Sequence, residues 1–263
     1  MQRSASQLLQ ILSDRRSIRK FKAKPIPDNV SEKIVEIGQR APSACNLQTY
    51  SIIWIKKPET REKVWNACFV PNAIRKAPLL FVICADLRRL IKALDYLGHD
   101  HCLKHEQGCA LKFMSIIDAV LVAENMTIAA ECYGLGSVFI GSALANNKVI
   151  KALYLPKWVL PLTLLCVGYP SEKPPTRPRW PLKSILHIDQ YRDAAEKEIE
   201  SFLEQMDFAL DKEGYYRKYS SRKRTYRYRD HIKSKTSMRG LDKEESEIVA
   251  AVKEAGYFLG EPV

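Results

Sequence analysis

The sequence lacks an uninterrupted hydrophobic run of the length that crosses a membrane. Its longest apolar stretch, residues 153–169, is broken by Pro156, Lys157 and Pro161. Residues 1–14 contain no apolar core of the kind that a secretory signal needs. The sequence has no internal repeat and no low-complexity tract, while 46% of its residues are hydrophobic and 27% are charged. These features exclude fibrous and wholly disordered classes and predict a soluble globular protein.

The cysteines show no pattern of a disulfide framework. There are seven of them, an odd number, and none forms a C-x-x-C pair. Most lie inside apolar runs, as Cys84 and Cys166 do, where free thiols pack as small hydrophobic groups. Because this usage is typical of a reducing compartment, we expect a cytoplasmic protein.

The positive charge is concentrated in one late segment. The net charge is +12, and residues 212–239 contribute eleven Lys and Arg against two acids, which leaves +3 for the rest. Tyrosines are interleaved with these cations, a pattern that suits nucleic acid through phosphate neutralisation and base stacking. A solvated face with its tyrosines packed against a second subunit explains the same pattern and is better supported than nucleic acid.

The pattern of apolar residues predicts an α+β fold. Helices are expected over residues 4–13, 28–40 with Asp28 as N-cap, 110–133, 191–210 and 242–255, and strands over 51–55, 79–85, 137–140 and 162–169. Residues 170–181 are proline-rich and predict an extended connection. Helices and strands follow one another without a regular βαβ rhythm, which argues against a doubly wound sheet.

Cations and hydroxyls cluster at residues 15–21, directly after the first predicted helix. Arginine matches phosphate oxygens with two parallel hydrogen bonds, and serine adds another donor, so Arg15, Arg16, Ser17 and Arg19 could bind a phosphate monoester. A solvated basic turn explains the segment equally well. Two further cations, Arg177 and Arg179, lie on the proline-rich connection.

Two other segments carry groups suited to a heterocyclic ligand. In the loop 41–48, Asn46 and Gln48 each offer a donor and an acceptor, although an ordinary polar loop has the same composition. In residues 134–141 the glycines allow the backbone to approach a ligand closely. The order helix–turn–strand and the spacing differ from those of a dinucleotide-binding fingerprint.

Residues 98–109 hold three of the five histidines and two cysteines. His101 and His105 are four residues apart, and with Cys102 and Cys109 they form a set that could bind zinc or iron. A partly exposed segment near the mouth of a site is the better interpretation, and we expect no metal.

Taken in order, the segments RRSIRKF, APSACNLQ, GLGSVFIG, VLPLTLLCVGYP and TRPRWPLKSILH resemble those of the nitroreductase family of flavin enzymes. The resemblance covers roughly residues 5 to 190. The C-terminal part that ends in TYRYRDHIKSK is similar to that of the larger, oxygen-insensitive, NADPH-preferring branch.

The resemblance implies an FMN-binding homodimer with a mixed β-sheet flanked by helices and two active sites at the subunit interface. The long central helix would lie at the dimer interface. Residues 1–190 would form the FMN-binding domain, and residues 191–263 a helical, basic extension that packs on the dimer and wraps the partner.

The resemblance also assigns ligand contacts residue by residue. The FMN phosphate would be bound by two groups of side chains, namely Arg15, Arg16, Ser17 and Arg19 with Arg177 and Arg179. The flavin ring and its ribityl chain would contact Ser43, Asn46 and Gln48 and the backbone of Phe139, Ile140 and Gly141. The extra phosphate of NADPH would meet one of three arginines, Arg217, Arg222 or Arg224.

The implied activity is hydride transfer from NADPH or NADH, through flavin N5, to nitroaromatics, quinones or free flavin in a ping-pong cycle. No catalytic side chain is expected, because the flavin carries the chemistry. Two alternatives stay open. One is a flavoenzyme of the same fold with other chemistry, such as dehalogenation, dehydrogenation or flavin fragmentation. The other is a basic nucleic-acid-binding or redox-sensing protein.

Overall fold

The computed structural model describes residues 5–105, 108–214, 227–236 and 241–257, with backbone alone for 241–244. The chain divides into two compact units. The first comprises Met1–Glu172 with Lys243–Val263, and the second comprises Lys173–Asp242. The predicted boundary at residue 190 separates an FMN-binding domain from an extension that packs on a second copy of the chain. This boundary stays a prediction.

The first unit combines a four-stranded sheet with helices. Its helices are α1 (Ala5–Asp14), α2 (Asp28–Gly38), α3 (Pro58–Ala67), α4 (Asn72–Arg75), α5 (Arg88–Tyr96), α6 (Cys109–Cys132) and α7 (Asn147–Ala152). Its strands are β1 (Tyr50–Trp54), β2 (Leu79–Asp86), β3 (Gly136–Ile140) and β4 (Val159–Gly168). The second unit contains α8 (Glu196–Glu213) and α9 (Tyr228–Lys235), and α10 (Leu241–Glu254) leads from it back into the first.

The sheet has the order β1-β2-β4-β3, and every neighbouring pair runs antiparallel. The α+β class is therefore confirmed, whereas the expected mixed sheet is corrected to an antiparallel one within the described residues. Pro161 lies inside the central strand β4, opposite Cys84, and the register shifts at that point. A bulge there accommodates the proline, which has no backbone N–H to donate.

Both faces of the sheet are buried, as the continuously apolar strand β2 predicts. On one face Phe81 and Ile83 pack in a core that includes Ile34 of α2 and Val122 and Met126 of α6. On the other face a second core is formed by Leu80 and Val82 with apolar residues of α3, α4 and α7, among them Val64, Ile74 and Val149. The helix α6 is consequently fixed against the sheet along one side.

Within the described residues, one helix, α6, has the length and the apolar composition that crossing a membrane requires. Half of the relevant window is buried inside the protein. That burial against the sheet is typical of a core helix.

Several predicted boundaries are corrected by tertiary contacts. Asp28 is the first residue of α2 and not its N-cap, because its carboxylate accepts a hydrogen bond from Lys56 Nζ at 2.7 Å. The helix ends at Gly38 and not at residue 40. The helix expected from residue 191 begins at Glu196, whose first turn is closed by Glu198 accepting from the backbone N–H of Ala195 at 3.0 Å.

In the second unit, α8 and α9 are joined by aromatic and ionic contacts. Trp180 Nε1 donates to the Tyr228 hydroxyl at 2.7 Å, and the Trp180 ring packs edge-on against Phe202. Arg229 forms an ion pair with Asp207. These contacts connect the end of the proline-rich connection, at Trp180, to the helices that follow it.

Candidate functional site

The arginine-rich segment after α1 lies beside the edge strand β3. Ile18 donates its backbone N–H to Ser137 O at 2.9 Å, and Lys22 donates to Tyr169 O at 2.9 Å. A Cβ on Gly136 would stand only 2.4 Å from Ile18 Cγ1, so this close approach requires glycine in the strand. The GLGSV motif thus positions the segment that precedes it by more than a hundred residues.

Glu172, at the end of the first unit, fixes the middle of the same segment. Its Oε1 accepts hydrogen bonds from the backbone N–H groups of Arg19 at 2.6 Å and Lys20 at 3.1 Å. Because these hydrogen bonds hold the backbone in place, the side chains of residues 15–21 project from a fixed main chain. No sequence motif indicates this role of Glu172.

Arg15 and Arg16 lie near two carboxylates on the C-terminal half of α6. Arg15 Nε is 3.5 Å from Glu124 Oε1, yet this buried nitrogen makes no hydrogen bond within the described residues. Burial raises the pKa of Glu131 to about 7; Arg15 and Arg16 lower it, and Glu124 raises it further. The positive charge of Arg15 and its buried N–H, which has no acceptor among the described residues, would favour the binding of an anionic ligand here.

We expect Glu131→Gln to stabilise the protein above pH 7. The raised pKa means that the protonated carboxyl favours folding below about pH 4.5 and that this contribution is lost as the pH rises through about 7. Glutamine does not ionise, so the variant should gain about 1 kcal/mol over wild type at pH 8, allowing for partial exposure, and little at pH 4.5. Urea unfolding at both pH values measures this. Glu124→Gln is the matched control, and an equal gain in both variants would contradict the role of burial.

The loop 41–48 is held in place by hydrogen bonds to a buried carboxylate. Asp118 of α6 is 1% exposed. Its Oδ1 accepts from the backbone N–H of Ala44 at 2.9 Å, and its Oδ2 accepts from the backbone N–H and hydroxyl of Thr49 at 3.2 and 2.9 Å. Sequence reasoning missed this residue, although one acid within an apolar helical run was a usable signal.

The backbone of this loop is strained at three positions. Cys45, Asn46 and Gln48 have φ values of 49°, 56° and 53°, in the left-handed region that non-glycine residues rarely adopt. Arg89 holds the end of the loop by donating to Gln48 O and to Tyr50 O. The predicted contact residues Asn46 and Gln48 are exposed at its surface. Strain held by several outside contacts is a frequent feature of ligand-binding loops.

Two cavities flank this loop. One, of about 240 Å³, is apolar and lies between Ser43 and Ala44 of the loop and Met114, Ile117 and Leu121 of α6. The other, of about 480 Å³, is polar, and its lining includes Gln39, Gln48, Tyr50, Ser51 and Arg89. Ser43 itself is partly buried, and its hydroxyl accepts from the backbone N–H of Gln48 at 3.3 Å.

The end of β3 opens to free space. A Cβ on Gly141 would meet no atom within 4 Å, so a flat ligand could approach the backbone there. Phe139 and Ile140 are partly buried just before it. Ser142 fixes the following turn by donating from its hydroxyl to Cys68 O at 2.8 Å. Ser137 Oγ, in the same strand, is buried without a hydrogen-bond partner in the described part of the chain.

The second pair of predicted phosphate ligands lies in the other unit. Arg177 Nη1 contacts both oxygens of the Glu213 carboxylate at 2.7 and 2.8 Å, so its charge is already balanced within that unit. Arg179 is exposed, and its guanidinium donates to the carbonyls of Arg177 and Pro178 at 3.3 Å. Convergence of the two arginine groups on one phosphate concerns both units and stays a prediction.

The histidine- and cysteine-rich segment is not assembled as a metal centre in the described residues. His101 Nε2 lies 3.3 Å from Asp95 Oδ1, and His105 Nε2 lies 3.3 Å from Asp100 Oδ1. Among the described residues, no three or more potential metal ligands are brought together. The predicted NADPH contacts Arg217, Arg222 and Arg224 lie outside the described residues.

One side of α6 is apolar and exposed, and α1 packs beside it. This α1–α6 face consists of Leu8, Leu9, Leu12, Phe113, Met114, Ile117, Val120 and Leu121. Contiguous exposed apolar groups of this extent are typical of an interaction surface. The apolar cavity beside Ser43 opens on the same side of the helix.

Comparison with known proteins supplies independent findings. The family model described as "Nitroreductase family" matches residues 12–169. The chain is 31% identical over 210 residues to the FMN reductase (NAD(P)H) of Bacillus subtilis, covering 79% of this chain and 84% of that protein. It is 31% identical over 230 residues to the oxygen-insensitive NADPH nitroreductase of Salmonella typhimurium, covering 87% and 90%. The structure of NfrA1 nitroreductase from B. subtilis superimposes with a TM-score of 0.83 at 28% identity, covering 95% of this chain and 98% of that one.

Proposed function

Since the chain belongs to the nitroreductase family, we propose that it is an FMN-dependent oxidoreductase that takes hydride from NADPH or NADH. The acceptor is a small electron-poor molecule of the nitroaromatic, quinone or free-flavin class. The observation that carries the proposal is the fixed arginine segment beside β3, whose buried Arg15 Nε makes no hydrogen bond with any of the described residues. The two relatives named above are an FMN reductase and a nitroreductase, which agrees with this chemistry.

The residues of the first unit fit FMN in three respects. Arg15, Arg16 and Arg19 supply the cations, and Ser17 the hydroxyl, that a phosphate dianion requires. The open space at Gly141 leaves room for a planar ring against the backbone of Phe139 and Ile140. The strained loop presents Ser43, Asn46 and Gln48 as donors and acceptors.

Bound FMN would supply hydride transfer at N5, first from the nicotinamide and then to the acceptor. The chain's own tasks are then to bind the phosphate, to orient the ring against β3 and to leave one face accessible. These tasks need no side-chain nucleophile or base. We propose that Arg179 adds to the phosphate site from the second unit, and that the segment with Arg217, Arg222 and Arg224 meets the nicotinamide nucleotide.

An absorbance spectrum of the purified protein, repeated after anaerobic addition of NADPH or NADH, tests the function. We expect flavin bands that bleach with the reductant and return on addition of a nitroaromatic or quinone. Bands that fail to bleach would favour other flavin chemistry. A colourless protein that also fails to take up added FMN would overturn the proposal and favour the nucleic-acid-binding alternative, which salt-sensitive binding through residues 212–239 would reveal.

We propose further that the protein is a cytoplasmic homodimer that buries the α1–α6 face. Ile117 is 56% exposed near the middle of this face, and burial of such groups drives association. The apolar cavity beside Ser43 lies at its edge, so a second copy would border the predicted flavin loop.

Ile117→Glu should therefore dissociate the dimer. A charge buried at an apolar interface is costly, and we expect at least about a hundredfold weaker dimerisation, measured by analytical ultracentrifugation. Tyr96→Glu is the matched control, because Tyr96 is 91% exposed on α5. A dimer of unchanged strength in the Ile117 variant would assign the interface to another surface.

A further inference from the structure

Two exposed cysteines lie at the turn that leads into α6. Cys102 begins a short 3-10 turn, Cys102–His105, and Cys109 is the first residue of α6. Both are solvent-exposed free thiols. None of the predicted flavin contacts includes either of them, so the proposed function leaves them without a role.

The thiol of Cys102 lies beside Gly108, the residue that precedes Cys109. Gly108 has a left-handed φ of +83°, and the Cys102 Sγ lies 3.1 Å from the position that a Cβ on Gly108 would take. In an α-helix each Cα–Cβ bond leans toward the N-terminus, so the side chain of Cys109 is directed back toward this turn.

Of the other cysteines, Cys45 is exposed in the loop 41–48, and the remaining four are buried or partly buried. Cys68, Cys84 and Cys166 are buried, and burial raises the pKa of the Cys68 thiol to about 11 and that of Cys166 to about 12. Cys132 is partly buried at the opposite end of α6, about 35 Å along the helix from Cys109. Accessible thiols with a neighbouring thiol are the ones that oxidants convert to disulfides.

We propose that Cys102 and Cys109 are a redox-active pair that a peroxide oxidises to an intramolecular disulfide. One thiolate attacks the peroxide oxygen, which gives a sulfenic acid and releases water or an alcohol. The second thiol then attacks that sulfur, forms the S–S bond and expels water. The two thiols lose two electrons in total, and the peroxide O–O bond is reduced. The cross-link ties the 3-10 turn to the first turn of α6.

The positions of the lysines allow the disulfide to be detected by peptide mapping. Trypsin cleaves after Lys92, Lys104 and Lys112, so the two cysteines fall on separate peptides, 93–104 and 105–112. The full chain with its flavin is reduced, freed of reductant, treated with hydrogen peroxide, alkylated and digested without reduction. We expect one cross-linked pair of these peptides, a loss of two alkylatable thiols, and full reversal with dithiothreitol.

Variants identify the pair. Cys102→Ser and Cys109→Ser should each abolish the cross-link, whereas Cys45→Ser, at an exposed thiol in the loop 41–48, should leave it intact. A cross-link between other cysteines, a disulfide between two chains, or oxidation of either thiol to sulfinic acid without a disulfide would overturn the proposal. The readout is chemical, so its failure and the failure of the proposed flavin chemistry are separate results.

Discussion

Replacing Arg16 and Arg179 with alanine should yield a protein that purifies without FMN. Each charge-assisted hydrogen bond to a phosphate contributes about 1.5–3 kcal/mol, so removing both should weaken FMN binding by about a hundredfold or more. Riboflavin, which has no phosphate, should bind the wild type and the double variant with similar affinity. Fluorescence titration with the two flavins separates loss of phosphate binding from general damage.

The two single variants decide whether both arginines serve one phosphate. If Arg16 and Arg179 contact the same group, their effects on FMN affinity should be non-additive in a double-mutant cycle. The matched control is Lys76→Ala with Lys197→Ala, which removes one exposed cation from each unit and leaves the predicted site unchanged. Additive losses would separate the arginines, and an unchanged FMN occupancy would refute the assignment of the phosphate site. Arg177 should matter less as a ligand, because Glu213 already pairs with it.

Asp118→Ala should cost about 3–4 kcal/mol of stability. The variant leaves two backbone N–H groups and one hydroxyl, those of Ala44 and Thr49, without their acceptor in a buried place. Urea unfolding measures the loss, and the loop 41–48 should become more susceptible to proteolysis. FMN affinity should fall as well, since three strained residues of that loop depend on these contacts.

Two variants calibrate the Asp118 result. Thr49→Val removes one donor and should cost about 1 kcal/mol. Asn125→Ala, on the same helix and partly buried, should have a smaller effect. An Asp118→Ala protein as stable as the wild type would show that the carboxylate does not hold the loop.

Local patterns were sufficient for the strands and the long helices. The apolar run of β2 is predicted because the strand is buried on both faces, and the helical run of α6 is predicted because the helix is apolar on its buried side and on its exposed side. The helices α3, α4, α5, α7 and α9 were missed. The helix α5 is an example, since Asp86 at the end of β2 accepts from the backbone N–H groups of Arg88 and Arg89, a contact that depends on where the strand ends.

The candidate site divides in the same way. Sequence motifs were sufficient to predict Arg15, Arg16, Asn46 and Gln48 as ligand contacts, because these residues lie in contiguous segments, and their role stays a prediction. Asp118 and Glu172, which hold these motifs in place, were not predicted, because each contacts a segment that is remote in sequence. Long-range positioning of this kind leaves no local pattern for Glu172, and for Asp118 it leaves only the signal of an acid within an apolar helical run.

The segment that follows α1 also protects the sheet. The strand β3 is at the edge of the four-stranded order, and an uncovered edge strand offers free N–H and C=O groups to any other extended chain. The hydrogen bond from Ile18 to Ser137 and the packing of Ile18 on Gly136 cover that edge. An N-terminal truncation through residue 22 would therefore do more than remove the arginines: it would create an aggregation-prone edge, and insolubility would conceal any effect on flavin binding.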